Sequence, residues 1–202
     1  GGSILGVEAI YFFLKHKIKK NFIFFNNIDK EKLQIFKSEN DLSKVLFIVI
    51  SKSGNTIETF SNLLSFNILK KNSKNIIIIS ENTDNALYLL AKKLNLFHIE
   101  HKKYIGGRYS VLSEVGLLPA YFMNLKVNNL RANLSTLLRQ KNKRYLKDSV
   151  TILANLFNRN KYKNIIFFNY EPKLNKFLYW NQQLIAESLG KKGKGFLPLI
   201  SE

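Results

Sequence analysis

The residues whose chemistry stands out are the hydroxyls and the lysine of the segment SKSGNT, residues 51–56. An apolar run rich in β-branched side chains, residues 45–50, precedes this segment and predicts a strand buried on both faces of a parallel sheet. After the segment, apolar residues recur at three- and four-residue steps from Ile57 to Leu64, which predicts a helix. A small polar loop between a strand and a helix favours an anion, because the first helical N–H groups have no intrahelical partner.

The polar side chains of this loop suit a phosphate monoester. Ser51, Ser53 and Thr56 offer hydroxyl donors, and Lys52 offers a positive charge. The alternative is structural, because serine and threonine are also preferred N-caps of helices. The loop alone leaves both interpretations open.

Composition limits the class of protein. The chain has 202 residues, of which 46% are apolar, so it can bury the core of one large domain or two small ones. It contains no cysteine, which excludes a disulfide framework and thiolate chemistry and fits a cytoplasmic location. No apolar run approaches the roughly 20 residues of a membrane span, so we expect no membrane partner.

The net charge of +18 is spread along the chain. Lysines stand on the polar faces of the expected helices, among many Asn, Ile and Phe residues. The excess of lysine is therefore part of a general compositional bias and does not mark a binding patch. We therefore expect no nucleic-acid partner, since basic charge alone is the least specific sign of one. An anionic small molecule is favoured by the same positive field.

Strands and helices alternate at short spacing, which predicts an α/β fold with a parallel sheet. Predicted strands cover residues 22–25, 45–50, 75–80, 96–101, 164–170 and 196–200. Predicted helices outside the segment after residue 56 cover residues 4–15, 29–36, 81–94, 113–123, 129–141, 147–158 and 173–188. The helices from residue 113 to 158 have no strand between them, so they predict a link to a second α/β unit. Gly190 is expected to end the last helix in the left-handed conformation.

Two further positions carry candidate chemistry. Gly106 and Gly107 permit a close backbone approach just before Arg108, which suits a site for an anion, although a surface arginine is the alternative. Glu187 stands near the end of a predicted helix, where a lone carboxylate is usually solvated.

His98 and His101 lie in and after a short predicted strand, where a structural histidine is favoured over a catalytic one.

Four motifs follow one another along the chain: GGSILG at residues 1–6, ISKSGNTIET at 50–59, GGRYSVLSEVGLLPA at 106–120 and QLIAESLGK at 183–191. In this order they resemble the glucose-6-phosphate isomerase (phosphoglucose isomerase) family of the bacterial type. The resemblance implies a doubly wound parallel sheet, the sugar isomerase (SIS) domain, in residues 1–130. It implies a helical link and the start of a second, truncated SIS domain in residues 131–202, so we expect an incomplete chain.

The resemblance also implies an activity, the interconversion of glucose 6-phosphate and fructose 6-phosphate through an enediolate. In that reaction Glu187 is the catalytic base and Arg108 stabilises the enediolate. The substrate-binding residues that the resemblance implies are Ser3, Ser51, Lys52, Ser53, Thr56, Gly107 and Gln183. It implies a homodimer in which the second subunit completes each site, and neither a metal nor a cofactor.

The sequence departs from the family pattern at two positions. Asn55 stands where threonine is usual, and Glu114 stands where proline is usual. In the family, a histidine and a lysine that assist ring opening lie downstream of the glutamate motif, beyond residue 202. An alternative function is a non-catalytic, regulatory SIS module, which would keep the loop at residues 51–56 without needing Arg108 and Glu187 together.

Overall fold

The computed structural model describes residues 2–158 and 162–201, apart from the side chains of residues 140–142 and 158. The chain divides into two compact units, which we call unit 1 (residues 1–7 and 20–119) and unit 2 (residues 8–19 and 120–202). Five strands are described: β1 (Phe47–Ile50), β2 (Ile76–Ser80), β3 (Phe97–Glu100), β4 (Asn164–Phe168) and β5 (Leu197–Ser201). The α-helices are α1 (Ile4–Leu14), α2 (Lys30–Glu39), α3 (Ile57–Phe66), α4 (Ala86–Leu94), α5 (Glu114–Phe122), α6 (Val127–Arg131), α7 (Leu134–Leu137), α8 (Gln140–Asn158) and α9 (Asn175–Leu189).

Unit 1 is built on a parallel three-stranded sheet in the order β1-β2-β3, as the alternating pattern predicts. α3 connects β1 to β2 and α4 connects β2 to β3, the crossovers that parallel strands require. All residues of β2 are buried, because neighbours cover both its edges and both its faces. Ile76 and Ile78 pack with Leu63 of α3 and with Leu87 of α4, and burying each such side chain contributes about 1.5–3 kcal/mol.

An aspartate and an asparagine side chain cap the starts of two unit 1 helices, α2 and α4. Asp29 caps α2 as predicted, accepting a hydrogen bond from the Lys32 N–H at 2.9 Å. Asn85 caps α4 in the same way through Tyr88. α4 therefore begins at Ala86, five residues later than its predicted start at Glu81, and residues 81–85 form a polar loop.

The predicted strand at residues 22–25 is wrong. These residues form no strand and belong to neither of the described sheets, and β1 is an edge strand of the three-stranded sheet. Phe25 instead packs edge to face on Phe36 and Phe66, with ring centroids 5.5 and 5.0 Å apart. The apolar pattern of this segment thus reflects aromatic packing.

Unit 2 contains a parallel pair of strands, β4 and β5, joined through α9. The stretch predicted as two helices, 129–141 and 147–158, forms α6, α7 and the long α8, because the Lys, Arg, Tyr and Leu residues between the predicted helices are themselves compatible with a helix.

No helix in the described ranges is long and apolar enough to cross a membrane. The division of the chain into SIS domains at residue 130 stays a prediction.

The predicted left-handed conformation of Gly190 is also wrong. Its φ is −74°, and its N–H continues the helical pattern by donating to the Ala186 carbonyl oxygen at 2.9 Å. A Cβ atom on Gly190 would lie 2.4 Å from that oxygen, so this position needs glycine for close approach. Left-handed residues follow at Lys192, Gly193 and Gly195.

Candidate functional site

The loop between β1 and α3 joins two hydroxyls directly. Ser51 is buried, and its N–H donates to the Ile79 carbonyl oxygen at 3.0 Å, so the ladder between β1 and β2 holds its backbone. The Ser51 Oγ lies 2.7 Å from the Thr56 Oγ1. Thr56 occupies the N-cap of α3, but its side chain makes no capping hydrogen bond. The helix start is therefore not blocked by its own N-cap side chain, which favours the anion-binding interpretation over capping.

The start of α4 fixes the backbone of the same loop. Gly54 has a φ of 65°, and a Cβ atom there would lie 1.6 Å from the Asn85 Oδ1, so only glycine fits. The Asn55 Oδ1 accepts a hydrogen bond from the Ala86 N–H at 3.0 Å. Asn55, which departs from the family pattern, thus ties the loop to α4. Ser53 is exposed and accepts a hydrogen bond from the Asn55 N–H at 3.3 Å.

Lys52 connects the loop to the segment that precedes Arg108. Its ammonium donates to the Lys103 carbonyl oxygen at 2.9 Å and lies 3.6 Å from the Glu81 Oε1. Sequence reasoning assigned Glu81 to a helix and missed this contact. A signal for it existed, because Lys52 and Glu81 both follow the carboxyl ends of strands that are neighbours in a parallel sheet.

Arg108 lies in a short 3₁₀-helix, residues 107–112, that begins shortly after Lys103. Its guanidinium carbon lies 4.8 Å from the centroid of the Tyr109 ring, and the residue is half-buried. The Ser110 hydroxyl donates to the Gly107 carbonyl oxygen at 2.6 Å and braces this turn. A Cβ atom on Gly107 would lie 3.1 Å from the Ser3 Oγ, so the absent side chain lets Ser3 approach.

The two histidines of the β3 region make structural contacts. The His98 Nε2 lies 3.0 Å from the Ser80 Oγ, and its ring packs edge to face on Tyr88. Burial lowers the pKa of His98 below its usual value, against the opposing effects of the Ser80 backbone and the Glu100 carboxylate. His101 is fully buried, with its Nδ1 3.2 Å from the Lys102 carbonyl oxygen.

Unit 2 presents a glutamine and a glutamate one helical turn apart on α9. The Gln183 Nε2 donates to the Glu187 Oε1 at 2.9 Å, and Glu187 is exposed in the last turn of the helix. The Gln183 Oε1 is buried and has no hydrogen-bond partner among the residues that the structure describes. The neighbouring Gln182 donates to the Pro198 carbonyl oxygen at 2.8 Å and so anchors α9 to β5.

The structure thus brings the sequence-predicted residues together in local groups, each within one unit. Ser51 contacts Thr56 and Ser3 lies beside Gly107 in unit 1, while Gln183 contacts Glu187 in unit 2. Hydroxyls at an open helix start can hold a dianion, a guanidinium can stabilise a developing negative charge, and a carboxylate can accept a proton. Across the described part of the chain, no cluster of acidic and histidine side chains could hold a metal ion. The individual roles stay predictions.

Comparison with protein families gives one match over most of the chain. The family model described as phosphoglucose isomerase matches residues 1–195. The glucose-6-phosphate isomerase of Methanocaldococcus jannaschii is 31% identical over 207 residues, covering 100% of this chain and 51% of the relative. The glucose-6-phosphate isomerase of Mycoplasmopsis synoviae is 34% identical over 220 residues, covering 98% of this chain and 50% of the relative. The chain therefore spans about half the length of these curated relatives.

A solved structure shares the fold over the whole chain. A hypothetical protein from Thermus thermophilus superposes with a TM-score of 0.85 at 26% identity, covering 100% of this chain and 51% of that protein. This similarity agrees with the parallel α/β architecture expected from the sequence.

Proposed function

Because the chain belongs to the phosphoglucose isomerase family, we propose that the protein interconverts glucose 6-phosphate and fructose 6-phosphate, a reaction of glycolysis and gluconeogenesis. The observation that carries the proposal is the Glu187 carboxylate held by the Gln183 amide on α9. A module that only binds sugar phosphate needs an anion site, whereas an isomerase also needs a positioned base. Two glucose-6-phosphate isomerases among its relatives support the same reaction.

The phosphate group of the substrate would be anchored by the loop after β1. Ser51, Ser53 and Thr56 would donate hydroxyl hydrogen bonds, together with the first N–H groups of α3 and the charge of Lys52. Binding energy from this remote group positions the reacting carbons, which lowers the entropic part of the barrier.

The chemical step is a proton transfer between adjacent carbons. In the aldose-to-ketose direction, the Glu187 carboxylate would remove the proton from C2, and the electron pair of that C–H bond would form the C1–C2 double bond as the C1 carbonyl oxygen becomes negative. Arg108 would stabilise this enediolate with its planar donors. Glu187 would then return the proton to C1 while the proton of the C2 hydroxyl passes to the C1 oxygen, which leaves a carbonyl at C2 and a hydroxyl at C1 and gives the ketose. Ser3, Gly107 and Gln183 would contact the sugar.

We also propose that the protein works as a cytoplasmic homodimer, because the family resemblance implies a site completed by a second subunit. Light scattering of the full natural protein tests this proposal, and a monomer would contradict it.

The decisive experiment is a coupled assay of fructose 6-phosphate conversion by the full natural protein and its Glu187→Gln variant. General-base catalysis contributes about 10²- to 10⁴-fold to rate, so the variant is expected to lose turnover by that factor with substrate binding kept. Glu39→Gln is the matched control, since Glu39 is an exposed glutamate at the end of α2. Equal turnover in all three proteins contradicts the role of Glu187. Sugar-phosphate binding without turnover in any of them supports the regulatory module.

A further inference from the structure

We propose that Glu81 is a positioning residue that holds the Lys52 ammonium in place. Lys52 then connects the loop after β1 to the segment leading to Arg108, and we call the contacts of Lys52 with Glu81 and Lys103 the latch. The inference rests on the proposed function, because it assigns the phosphate to that loop and the enediolate to Arg108. It adds a residue to the site that neither the motifs nor the comparisons single out.

Two oxygen atoms contact the Lys52 ammonium. The Glu81 Oε1 lies 3.6 Å from the Lys52 Nζ, and the Lys103 carbonyl oxygen accepts from the same nitrogen at 2.9 Å. The backbone repeats the connection, because the Glu81 N–H donates to the Lys52 carbonyl oxygen at 3.0 Å. The two loops that follow β1 and β2 are thus joined through both main chain and side chain.

The Lys52–Glu81 ion pair is less exposed to solvent than the other ion pairs described in unit 1. The side chains of Lys52 and Glu81 are 32% and 18% exposed, compared with 39% and 45% for Lys102 and Glu100. Exposed pairs contribute little and are screened by salt, whereas a partly buried carboxylate keeps more of its effect on a neighbouring ammonium. A lysine side chain is long and mobile, so a fixed position requires such partners.

The latch has a consequence for an anionic ligand. Glu81 offsets the charge of Lys52 at the loop and at the same time holds the ammonium against Lys103, five residues before Arg108. Removing the charge of Glu81 leaves Lys52 uncompensated, which strengthens its attraction for a dianion. The same change releases the segment that carries Arg108, so the developing enediolate is stabilised less well. A residue with a purely structural role would weaken both properties together.

The test compares Glu81→Gln with the wild type in the full natural protein. We expect the dissociation constant for inorganic phosphate, measured by calorimetry, to fall about threefold or more. We expect kcat for fructose 6-phosphate to fall about fivefold or more, because misplaced catalytic groups lose rate steeply, while KM does not rise. Glu100→Gln is the matched control: it removes an exposed carboxylate at the end of the neighbouring strand β3, and both quantities should change by about twofold or less.

A coupling measurement identifies Lys52 as the intermediary. In a Lys52→Met background, Glu81→Gln should change the phosphate dissociation constant by less than about twofold, since the ammonium is gone. An undiminished effect in that background overturns the proposal. So does a Glu81→Gln protein in which phosphate binding and kcat both stay within about twofold of wild type, or in which phosphate binding weakens.

Titration with inorganic phosphate distinguishes a failure of the proposed isomerase function from a failure of the latch proposal. If the wild type shows no isomerase turnover, the proposed function fails, while the phosphate titrations still decide the latch. If the wild type binds no phosphate, the latch proposal is overturned. If Glu81→Gln does not fold, Glu81→Asp replaces it, since aspartate keeps the charge but withdraws it by one methylene. The same directions are expected with smaller size, and an unchanged Glu81→Asp protein overturns the proposal.

Discussion

Gly54 shows how closely the loop after β1 is fitted to the start of α4. Its left-handed φ and the nearness of the Asn85 Oδ1 both exclude a side chain. Asn85 in turn caps α4 through the Tyr88 N–H. A Cβ atom at Gly54 therefore acts on the loop and on the helix together.

We expect Gly54→Ala to lower the free energy of unfolding by about 2–3 kcal/mol, from backbone strain and from displacement of the Asn85 cap. Denaturant titration of the full natural protein measures this loss. Gly193→Ala is a matched control, because Gly193 also has a positive φ, of 72°, but a Cβ atom there would meet nothing within 4 Å among the described residues. That variant should lose about 1 kcal/mol from strain alone. Equal losses in the two variants would show that the contact with Asn85 contributes nothing.

For single residues, the sequence predicts which side chains belong to the candidate site better than it predicts their hydrogen-bond partners. The hydroxyls of residues 51–56 stand out from their spacing, because a buried strand must precede them and a helix must follow. Their hydrogen bonds do not follow from spacing: Thr56 could cap α3, yet its hydroxyl bonds to Ser51. Glu81 was missed because helical periodicity extended the next helix backwards over it.

Gly116 governs how the 3₁₀-helix that carries Arg108 packs on α5. A Cβ atom at Gly116 would lie 1.9 Å from the Val111 carbonyl oxygen, which is backbone and cannot rotate away. The helix and the turn before it therefore meet at a position where only glycine fits.

We expect Gly116→Ala to lower the free energy of unfolding by about 1–3 kcal/mol and to reduce kcat, because the segment carrying Arg108 must shift to relieve the overlap. Thermal unfolding and the isomerase assay measure the two effects. Gly106→Ala provides the comparison, since among the described residues its Cβ atom would meet only the movable Tyr109 side chain, at 3.1 Å. A smaller loss of stability in Gly116→Ala than in Gly106→Ala would contradict this account.

Among the elements, the apolar runs that form β1 to β5 were predicted correctly as strands, whereas the segment at residues 22–25 was not. β2 is predictable as a strand because four consecutive isoleucines must be buried on both faces. The segment at residues 22–25 has a similar local pattern, but strand pairing depends on distant residues, and Phe25 packs on the phenylalanines of α2 and α3 instead. The helix break predicted between residues 141 and 147 lies inside α8, and the breaks that separate α6, α7 and α8 were missed, because the local propensities there differ little.

For the whole molecule, the net charge of +18 should set how ligand binding depends on salt. The Debye length falls from about 30 Å at 0.01 M to about 8 Å at 0.15 M ionic strength, so scattered lysines attract an anion only in dilute salt. We expect the dissociation constant for inorganic phosphate to rise several-fold over this range. Titration in potassium acetate and in sodium chloride distinguishes screening from competition by chloride. A constant affinity would show that only groups in contact with the phosphate matter.

The charge also illustrates what composition can establish. A count of lysines predicts a long-range field but not a partner, because it does not say which charges lie close together. The four motifs predicted the family, which the match to residues 1–195 confirms, since their order along the chain is far more specific than their composition. Where the two domains divide stays a prediction, because that boundary depends on packing that no short motif encodes.

The contact between the Ser51 and Thr56 hydroxyls bears on the heat of ligand binding. In the free loop one hydroxyl donates its proton to the other, so the pair has two interchangeable proton arrangements. A phosphate dianion only accepts hydrogen bonds, and holding it with both hydroxyls would break the existing bond and freeze each proton in one direction. Part of the enthalpy of the new contacts would be cancelled, and one source of configurational freedom would disappear. The calorimetric signature of this loop would then be a smaller exothermic response than its number of donors suggests.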